Sequence, residues 1–153
     1  MSNDTVFLPP EQRAVRRRGG VFVPPLLIVS FVLYNLAAFL FFGGQPEGWD
    51  ATVFRIPMVS GMTWNMNWGD LLIVISLGLL FVEILKSTRT GTSSILEHML
   101  STLVFVLFLV EFLLVGAAAS SVFFILMIMA LVDLTAGFTV SISGAGRDVT
   151  LGN

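Results

Sequence analysis

The sequence predicts an all-α integral membrane protein with four transmembrane helices, both termini in the cytoplasm, and a tryptophan-rich outer interfacial loop. The 153-residue chain is 56% hydrophobic and 12% charged, with a mean hydropathy of +0.92. A soluble domain of this size could not carry that composition without large exposed apolar patches. Seven of its eight Lys and Arg residues also fall on one side of the zigzag that four apolar runs imply. This asymmetry places that side in the cytoplasm.

Each apolar run approaches the ~20 residues needed to cross a ~30 Å hydrocarbon core. The runs are Pro24–Phe42, Leu71–Leu85, Ile95–Val115 and Val122–Ile142. They predict transmembrane helices over 22–42, 70–86, 94–116 and 120–142. An outer loop at 43–69, an inner loop at 87–93 and cytoplasmic tails at 1–20 and 143–153 complete a single transmembrane domain.

The first apolar run has the features of a retained helix rather than of a signal peptide. It is longer than the apolar region of a signal peptide, and no small-residue cleavage site follows it. Arg16, Arg17 and Arg18 precede it and are expected to anchor the cytoplasmic end. Pro24 and Pro25 suit a first helical turn, where a missing N–H costs nothing.

The outer loop contains all three tryptophans of the chain, Trp49, Trp64 and Trp68. Indole rings prefer the headgroup level of a bilayer, so the three are predicted to be interfacial anchors. Trp64 and Trp68 are four residues apart and would share the lipid-facing side of a short helical turn. This aromatic-belt interpretation is favoured over a ligand-binding or partner-binding loop. Asp70 is expected to cap the second helix.

The remaining connections are short. A polar turn on the cytoplasmic side precedes Ser94, which has the capping-box spacing to Glu97. The turn around Gly116 to Ser121 makes the third and fourth helices antiparallel neighbours. Glu97 and His98 lie at the inner membrane edge, where His98 is most simply an interfacial side chain. One histidine with scattered carboxylates does not predict a metal site or bis-histidine haem, so no cofactor is expected.

Three acids fall within the predicted helices: Glu83, Glu111 and Asp133. An ionised carboxylate at mid-bilayer costs about 2.5–3.5 kcal/mol on insertion scales, so each requires an explanation. Glu83 precedes Lys86 by three residues and is expected to pair with it along one helix face. Glu111 lies near the outer end of its helix and is expected to reach the headgroups.

Asp133 has no Lys or Arg within one turn of its own helix and lies about 20 Å from the helix start. Ala130, Asp133, Gly137 and Ser141 share one helix face, a stripe of small residues that favours close approach of another helix. Asp133 is therefore predicted to face a helix interface. With no buried base in view, at least one of the three carboxyls is expected to be neutral at pH 7.

Two uses of these carboxyls follow. In the first, Asp133 or Glu111 hydrogen-bonds to a neighbouring helix, for instance to Asn35, Tyr34 or Ser76, and holds the bundle together. In the second, the carboxyls form a proton or cation site in a transport pathway. The scarcity of other polar lining favours the first use.

Other function classes find no support. No catalytic or phosphate-binding motif occurs, so no enzymatic activity is predicted. Basic residues do not cluster on a face that would bind nucleic acid. The absence of cysteine excludes disulfides and thiolate metal sites.

The sequence therefore predicts an assembling or accessory subunit, either a homo-oligomer or part of a larger membrane complex. The arrangement resembles, in hydropathy profile only, small membrane subunits of transporters and of respiratory or photosynthetic complexes. The expected location is the bacterial cytoplasmic (inner) membrane, and the expected partners are the lipid bilayer, other copies of the chain or a larger membrane protein. The alternative is a small oligomeric proton- or cation-coupled transporter or channel built around Asp133, Glu83 and Glu111.

Overall fold

A computed structural model of the protein describes residues 24–87 and 94–150, with side chains from 24 to 87 and from 97 to 139. Within these ranges the chain forms a helical bundle with a small antiparallel sheet. The helices are α1 Leu27–Leu36, α2 Trp68–Ser87, α3 Ser94–Leu114 and α4 Ser121–Thr150, and the strands are β1 Thr52–Pro57 and β2 Thr63–Asn67. The predicted anchors Arg16, Arg17 and Arg18 lie outside the described residues, as do most of the predicted inner loop and the Ser94 side chain of the predicted capping box.

Three of the described helices are long and apolar enough to cross a membrane: Trp68–Ser87, Glu97–Leu114 and Ser121–Thr139. The first helix is shorter. α1 continues into a π-helical turn at Ala37–Phe41, and together they form an apolar helix from Leu27 to Phe41. At about 1.5 Å per residue this helix extends about 22 Å, which is less than a ~30 Å hydrocarbon core.

Two glycines end the first helix. Gly43 and Gly44 have φ angles of 58° and 80°, the left-handed region that stops a helix with little strain in glycine. The Gly44 N–H donates to the Ala38 carbonyl at 2.8 Å. The chain then folds back through a 3-10 turn at Pro46–Asp50.

A β-hairpin follows, and this small two-stranded sheet is the one element among the described residues that the all-α prediction does not include. β1 and β2 pair antiparallel, and Gly61, with φ 82°, closes a short turn in which the Met58 N–H donates to the Met62 carbonyl at 2.8 Å. The predicted helical turn shared by Trp64 and Trp68 is absent, because Trp64 lies on β2 and Trp68 begins α2. The β-branched and aromatic residues of β1 favour this extended backbone.

The cap of α2 also differs from the prediction. The Asn67 side-chain oxygen accepts from the Asp70 N–H at 2.7 Å, and the Asp70 carboxylate accepts from the Asn67 N–H at 3.2 Å. Asn67 is therefore the cap, and Asp70 is its reciprocal partner three residues later.

The helix α4 lies at the centre of the bundle and packs against both α2 and α3. Its Phe123 and Leu126 are fully buried and contact the core around Phe108 of α3. The rings of Phe31 and Phe108 pack edge to face at 5.0 Å between centroids, which brings α1 onto this core. Leu27 and Tyr34 of α1 are fully buried in this core, and polar side chains of the neighbouring helices contact α1 as well.

Candidate functional site

Glu83 of α2 is 4% exposed and lies at the end of the bundle that carries Lys86, here termed the Lys86 end. Lys86 Nζ lies 2.6 Å from Glu83 Oε1, so the ion pair expected from the three-residue spacing is present. The pair removes the need to explain Glu83 as an isolated buried charge.

The second oxygen of Glu83 contacts another helix. Glu83 Oε2 accepts a hydrogen bond from the Leu26 N–H at 2.8 Å, directly before α1 begins. α1 has no side-chain cap from its own neighbouring residues. A carboxylate at a helix N-terminus both satisfies a free N–H and opposes the positive end of the helix dipole. Glu83 therefore caps α1 from α2, an arrangement that no local sequence pattern indicates.

Asp133 of α4 is 5% exposed and hydrogen-bonds to the Ser101 side chain of α3, which is 8% exposed. This position agrees with the prediction that Asp133 faces a helix interface. Glu83, Lys86 and His98 also lie close enough to interact electrostatically with Asp133. α2 places Lys86, with a side chain 19% exposed, close enough to Asp133 to interact with it electrostatically.

His98 of α3 packs against the small-residue face of α4. Its ring stacks on Phe138 at 5.8 Å, and a Cβ at Gly137 would lie 2.7 Å from His98 Nδ1. Gly137 is therefore required for this close approach of α3 and α4. Glu97 is half-buried at the same end of α3, whereas the Ser141 side chain lies outside the described residues.

Glu111 of α3 contacts α1. Asn35 Nδ2 donates to Glu111 Oε2 at 3.1 Å and also to the Phe31 carbonyl at 3.1 Å. The Glu111 side chain thus turns toward the first helix, as the hydrogen-bonding use of this carboxyl predicts. Asn35 is one of the side chains that the sequence predicts as a hydrogen-bond partner of Asp133 or Glu111. Glu111 Oε1 is buried and has no hydrogen-bond partner among the described residues.

A third polar contact of α1 lies at the opposite end of the bundle, here termed the Trp49 end. The Tyr34 hydroxyl donates to the Ala117 carbonyl at 2.7 Å and lies 2.7 Å from Ser120 Oγ. Because the Tyr34 proton is used on Ala117, the Ser120 hydroxyl donates to Tyr34. Ser120 Oγ also accepts from the Phe123 N–H at 3.1 Å, so the same serine caps α4.

Trp49 closes this end of the bundle. It is 3% exposed, stacks on Tyr34 at 4.5 Å and meets Phe42 edge to face at 4.9 Å. Trp49 is therefore buried in the protein rather than exposed as the interfacial anchor that the sequence predicts, because the 3-10 turn folds the indole onto Tyr34. Trp64 and Trp68, by contrast, are 44% and 45% exposed. Gly48 is required beside Trp49, since a Cβ there would overlap the Phe42 ring.

Open cavities lie at the Trp49 end, and two of them adjoin each other at the start of α4. A cavity of about 540 Å³ is bordered by Phe112, Phe124 and Ile125, and one of about 230 Å³ is bordered by Glu47 and Asp50. They share the segment Ala119, Ser120 and Ser121. The membrane-segment carboxylates Glu83, Glu111 and Asp133 border neither of them.

The described part of the chain contains no group of three or more His, Asp or Glu side chains arranged to hold a metal ion. Comparisons with protein-family models, with curated proteins and with solved structures find no match to this chain. Functional interpretation therefore depends on the contacts of the polar side chains. Of these, Ser101 and Ser120 were not assigned as partners from the sequence, although Ser101 lies on the same α3 face as Glu97 and Glu111.

Proposed function

We propose that the protein is a non-enzymatic membrane protein that acts as an assembling or accessory subunit, as a homo-oligomer or within a larger membrane complex. Its carboxylates hold the helices together. The observation that supports this proposal is that each carboxylate forms a hydrogen bond outside its own helix. Glu83 of α2 binds the Leu26 N–H at the start of α1, Glu111 of α3 binds Asn35 of α1, and Asp133 of α4 binds Ser101 of α3. Hydrogen bonds of this kind contribute about 0.6–2 kcal/mol each between membrane helices.

The outer surface of the bundle supports an assembling role. Apolar side chains are widely exposed on every helix, and at the Trp49 end Leu40, Phe41 and Leu114 are 71%, 80% and 78% exposed. Leu40 and Phe41 belong to the short first helix, which leaves part of the membrane thickness for neighbouring apolar groups to fill. Another copy of the chain or a larger membrane protein would supply them.

The orientation is part of the same proposal. The Lys86 end faces the cytoplasm, the Trp49 end faces outward, and the membrane is a bacterial cytoplasmic membrane. Cysteine introduced by Gln45→Cys, at an exposed position, and by Gly91→Cys in this cysteine-free chain tests the orientation in intact cells. An impermeant thiol reagent should label only the Gln45 variant, and labelling of only the Gly91 variant would invert the topology.

The assembling role is tested by the native mass of the purified full chain in mild detergent and in native lipid discs. The expected result is a particle of fixed stoichiometry whose protein mass exceeds the 16.7 kDa of one chain. A particle that contains one copy and no other protein in both media would refute the proposal.

A second candidate is a small proton- or cation-coupled transporter or channel. It is favoured by the position of Lys86 and His98 beside Asp133, because titratable groups from three helices meet at the Lys86 end. Asp133→Asn separates the two functions, since an amide keeps the Ser101 contact but cannot carry a proton. Normal assembly with lost flux in proteoliposomes would establish transport, whereas a wild-type chain without flux under imposed pH and cation gradients would exclude it.

A further inference from the structure

The β-hairpin has one apolar face and one polar face. Residues directly opposite each other in an antiparallel pair lie on the same face, and successive residues alternate between faces. The register therefore places on one face Phe54, Ile56, Trp64 and Met66. It places on the other face Arg55, Pro57, Thr63 and Asn65. The rings of Phe54 and Trp64 pack edge to face at 6.4 Å, which stabilises the apolar face.

The tip of the hairpin is apolar as well. Met58 and Met62 are 50% and 72% exposed, and Val59 is fully exposed. Turns that face water are dominated by Gly, Asn, Asp, Ser and Pro, whereas three of the five residues from 58 to 62 are large and apolar, with Ser60 and Gly61 between them. On the apolar face Met66 is buried at the base, whereas Phe54, Ile56 and Trp64 are 40%, 40% and 44% exposed. A two-stranded hairpin is also marginally stable in water, so the exposed part of this face needs an environment that covers it.

The base of the hairpin is fixed to the helical bundle. β2 ends at Asn67 and α2 begins at the next residue, while the Trp68 N–H donates to the Ala51 carbonyl at 3.2 Å. Gly69 then packs against Val122 in the first turn of α4, where a Cβ would lie 2.5 Å from the valine methyl group. The hairpin thus leaves the bundle at the level where two membrane-length helices begin. A strand of this length extends only about 20 Å from that level.

We propose that the hairpin Thr52–Asn67 docks on the lipid bilayer, with its apolar face and tip at the boundary between headgroups and acyl chains. The exposed Arg55, on the opposite face, binds lipid phosphate from above. This inference rests on the proposed membrane location of the bundle. The docked hairpin fixes the depth of the Trp49 end, where the first helix is too short to do so by its own length.

Lipid is the occupant that the geometry favours over protein. The apolar face is continuous with α2, whose exposed apolar side chains begin at Trp68 and continue through Val74 and Ile75. Half-exposed Trp64 and Trp68 flank this junction, and indole rings are suited to the headgroup level. The positive charge of Arg55 complements a phosphate layer on the polar side.

Single cysteines test the docking, because the chain has none of its own. The full chain carrying Val59→Cys at the tip, or Asn65→Cys on the polar face, is labelled with an environment-sensitive fluorophore. Both are reconstituted in vesicles of phosphatidylcholine and phosphatidylglycerol. The tip label should emit at shorter wavelength and be quenched at least twofold more by brominated acyl chains than the Asn65 label. Equal quenching of both labels by aqueous iodide would overturn the proposal.

A third label, introduced by Val74→Cys on an exposed position of α2, separates the two proposals. If bromolipid quenches at Val74 but not at Val59, the hairpin does not dock and the membrane location stands. If neither label is quenched, the membrane location itself fails. A tip label that is protected from iodide but not quenched by bromolipid would show that a second copy or another protein covers the hairpin, which also refutes lipid docking.

Variants that carry no fluorophore show whether the label itself alters the position of the hairpin tip. Trp49→Phe with Trp68→Phe leaves Trp64 as the single fluorescent tryptophan, and its bromolipid quenching should be strong. Adding Val59→Ser and Met62→Ser should reduce that quenching at least twofold while the helical circular dichroism is unchanged. Unchanged quenching with an unchanged spectrum would show that the apolar tip does not position the hairpin.

Discussion

The two ends of the bundle hold the short helix α1 by different chemistry. At the Lys86 end, the charged Glu83 accepts from the first N–H of α1 and pairs with Lys86. At the Trp49 end, Tyr34 of α1 binds a carbonyl and a serine hydroxyl under the stacked indole of Trp49. The comparison shows that a helix with no local cap is fastened by polar groups from its neighbours in addition to its buried apolar side chains. The charged end should be the more sensitive one, because removal of one partner leaves a buried charge.

The largest effect is expected at the charged end. Glu83→Leu should lower the free energy of unfolding by about 3 kcal/mol, since it removes the carboxylate that pairs with the partly buried Lys86 and leaves the Leu26 N–H without its acceptor. The double variant Glu83→Leu, Lys86→Leu should recover more than half of that loss. SDS-titration unfolding in mixed micelles measures both. Equal losses for the single and double variants would show that the ion pair does not stabilise this end.

At the aromatic end a smaller effect is expected. Tyr34→Phe removes the bonds to Ala117 and Ser120 but keeps the ring on Trp49, and should lower the free energy of unfolding by about 1 kcal/mol. Tyr34→Leu, which also removes the stacking, should cost about 1 kcal/mol more. The same SDS titration measures the free energy of unfolding of both variants. If Tyr34→Phe lowers it as much as Glu83→Leu does, the two ends do not differ in sensitivity.

Gly137→Ala sharpens the account of the Lys86 end, because its Cβ must displace the His98 ring. The free energy of unfolding should fall by about 1 kcal/mol. Gly78→Ala in α2 is the matched control, since its Cβ meets no atom within 4 Å. There the better helix propensity of alanine should raise the free energy of unfolding by up to about 1 kcal/mol. A loss in both variants would point to a general intolerance of alanine.

The smallest effect is expected at the Asn35–Glu111 contact, which adjoins Tyr34 in α1. Asn35→Leu should lower the free energy of unfolding by about 0.6 kcal/mol, the average for a hydrogen bond between membrane helices. Glu111→Gln keeps an acceptor for Asn35 and should change it by less than about 0.5 kcal/mol. A loss above about 2 kcal/mol from Glu111→Gln would mean that the negative charge itself stabilises the bundle.

The sequence predicts the parts of this structure that depend on composition and on spacing within one helix. Apolar runs locate the three long helices, and the three-residue spacing predicts the Glu83–Lys86 pair. The cap that Glu83 provides for α1 depends on a backbone N–H of another helix, which no spacing reveals. The spacing of residues within α4 likewise does not reveal Lys86 as a neighbour of Asp133, because Lys86 lies on α2.

The outer loop shows a second limit. The four-residue spacing of Trp64 and Trp68 favours a helical turn, but the extended pairing of β1 with β2 overrides this local pattern. The alternation of Phe54, Arg55 and Ile56 with a following Gly61 was a readable signal for a hairpin. The burial of Trp49 had no such signal, because it depends on where the 3-10 turn meets Tyr34.

The central claim is that polar side chains fasten α1 to the rest of the bundle, and a buried thiol tests it most directly. Ser30→Cys is a small change at a fully buried position of α1 whose hydroxyl has no hydrogen-bond partner among the described residues, and Ala130→Cys is the control in α4. The maleimide labelling rate of each is measured with and without Tyr34→Phe plus Glu83→Gln. The account predicts at least tenfold faster labelling at position 30 and an unchanged rate at position 130. Unchanged rates at both positions, or an equal increase at both, would contradict it.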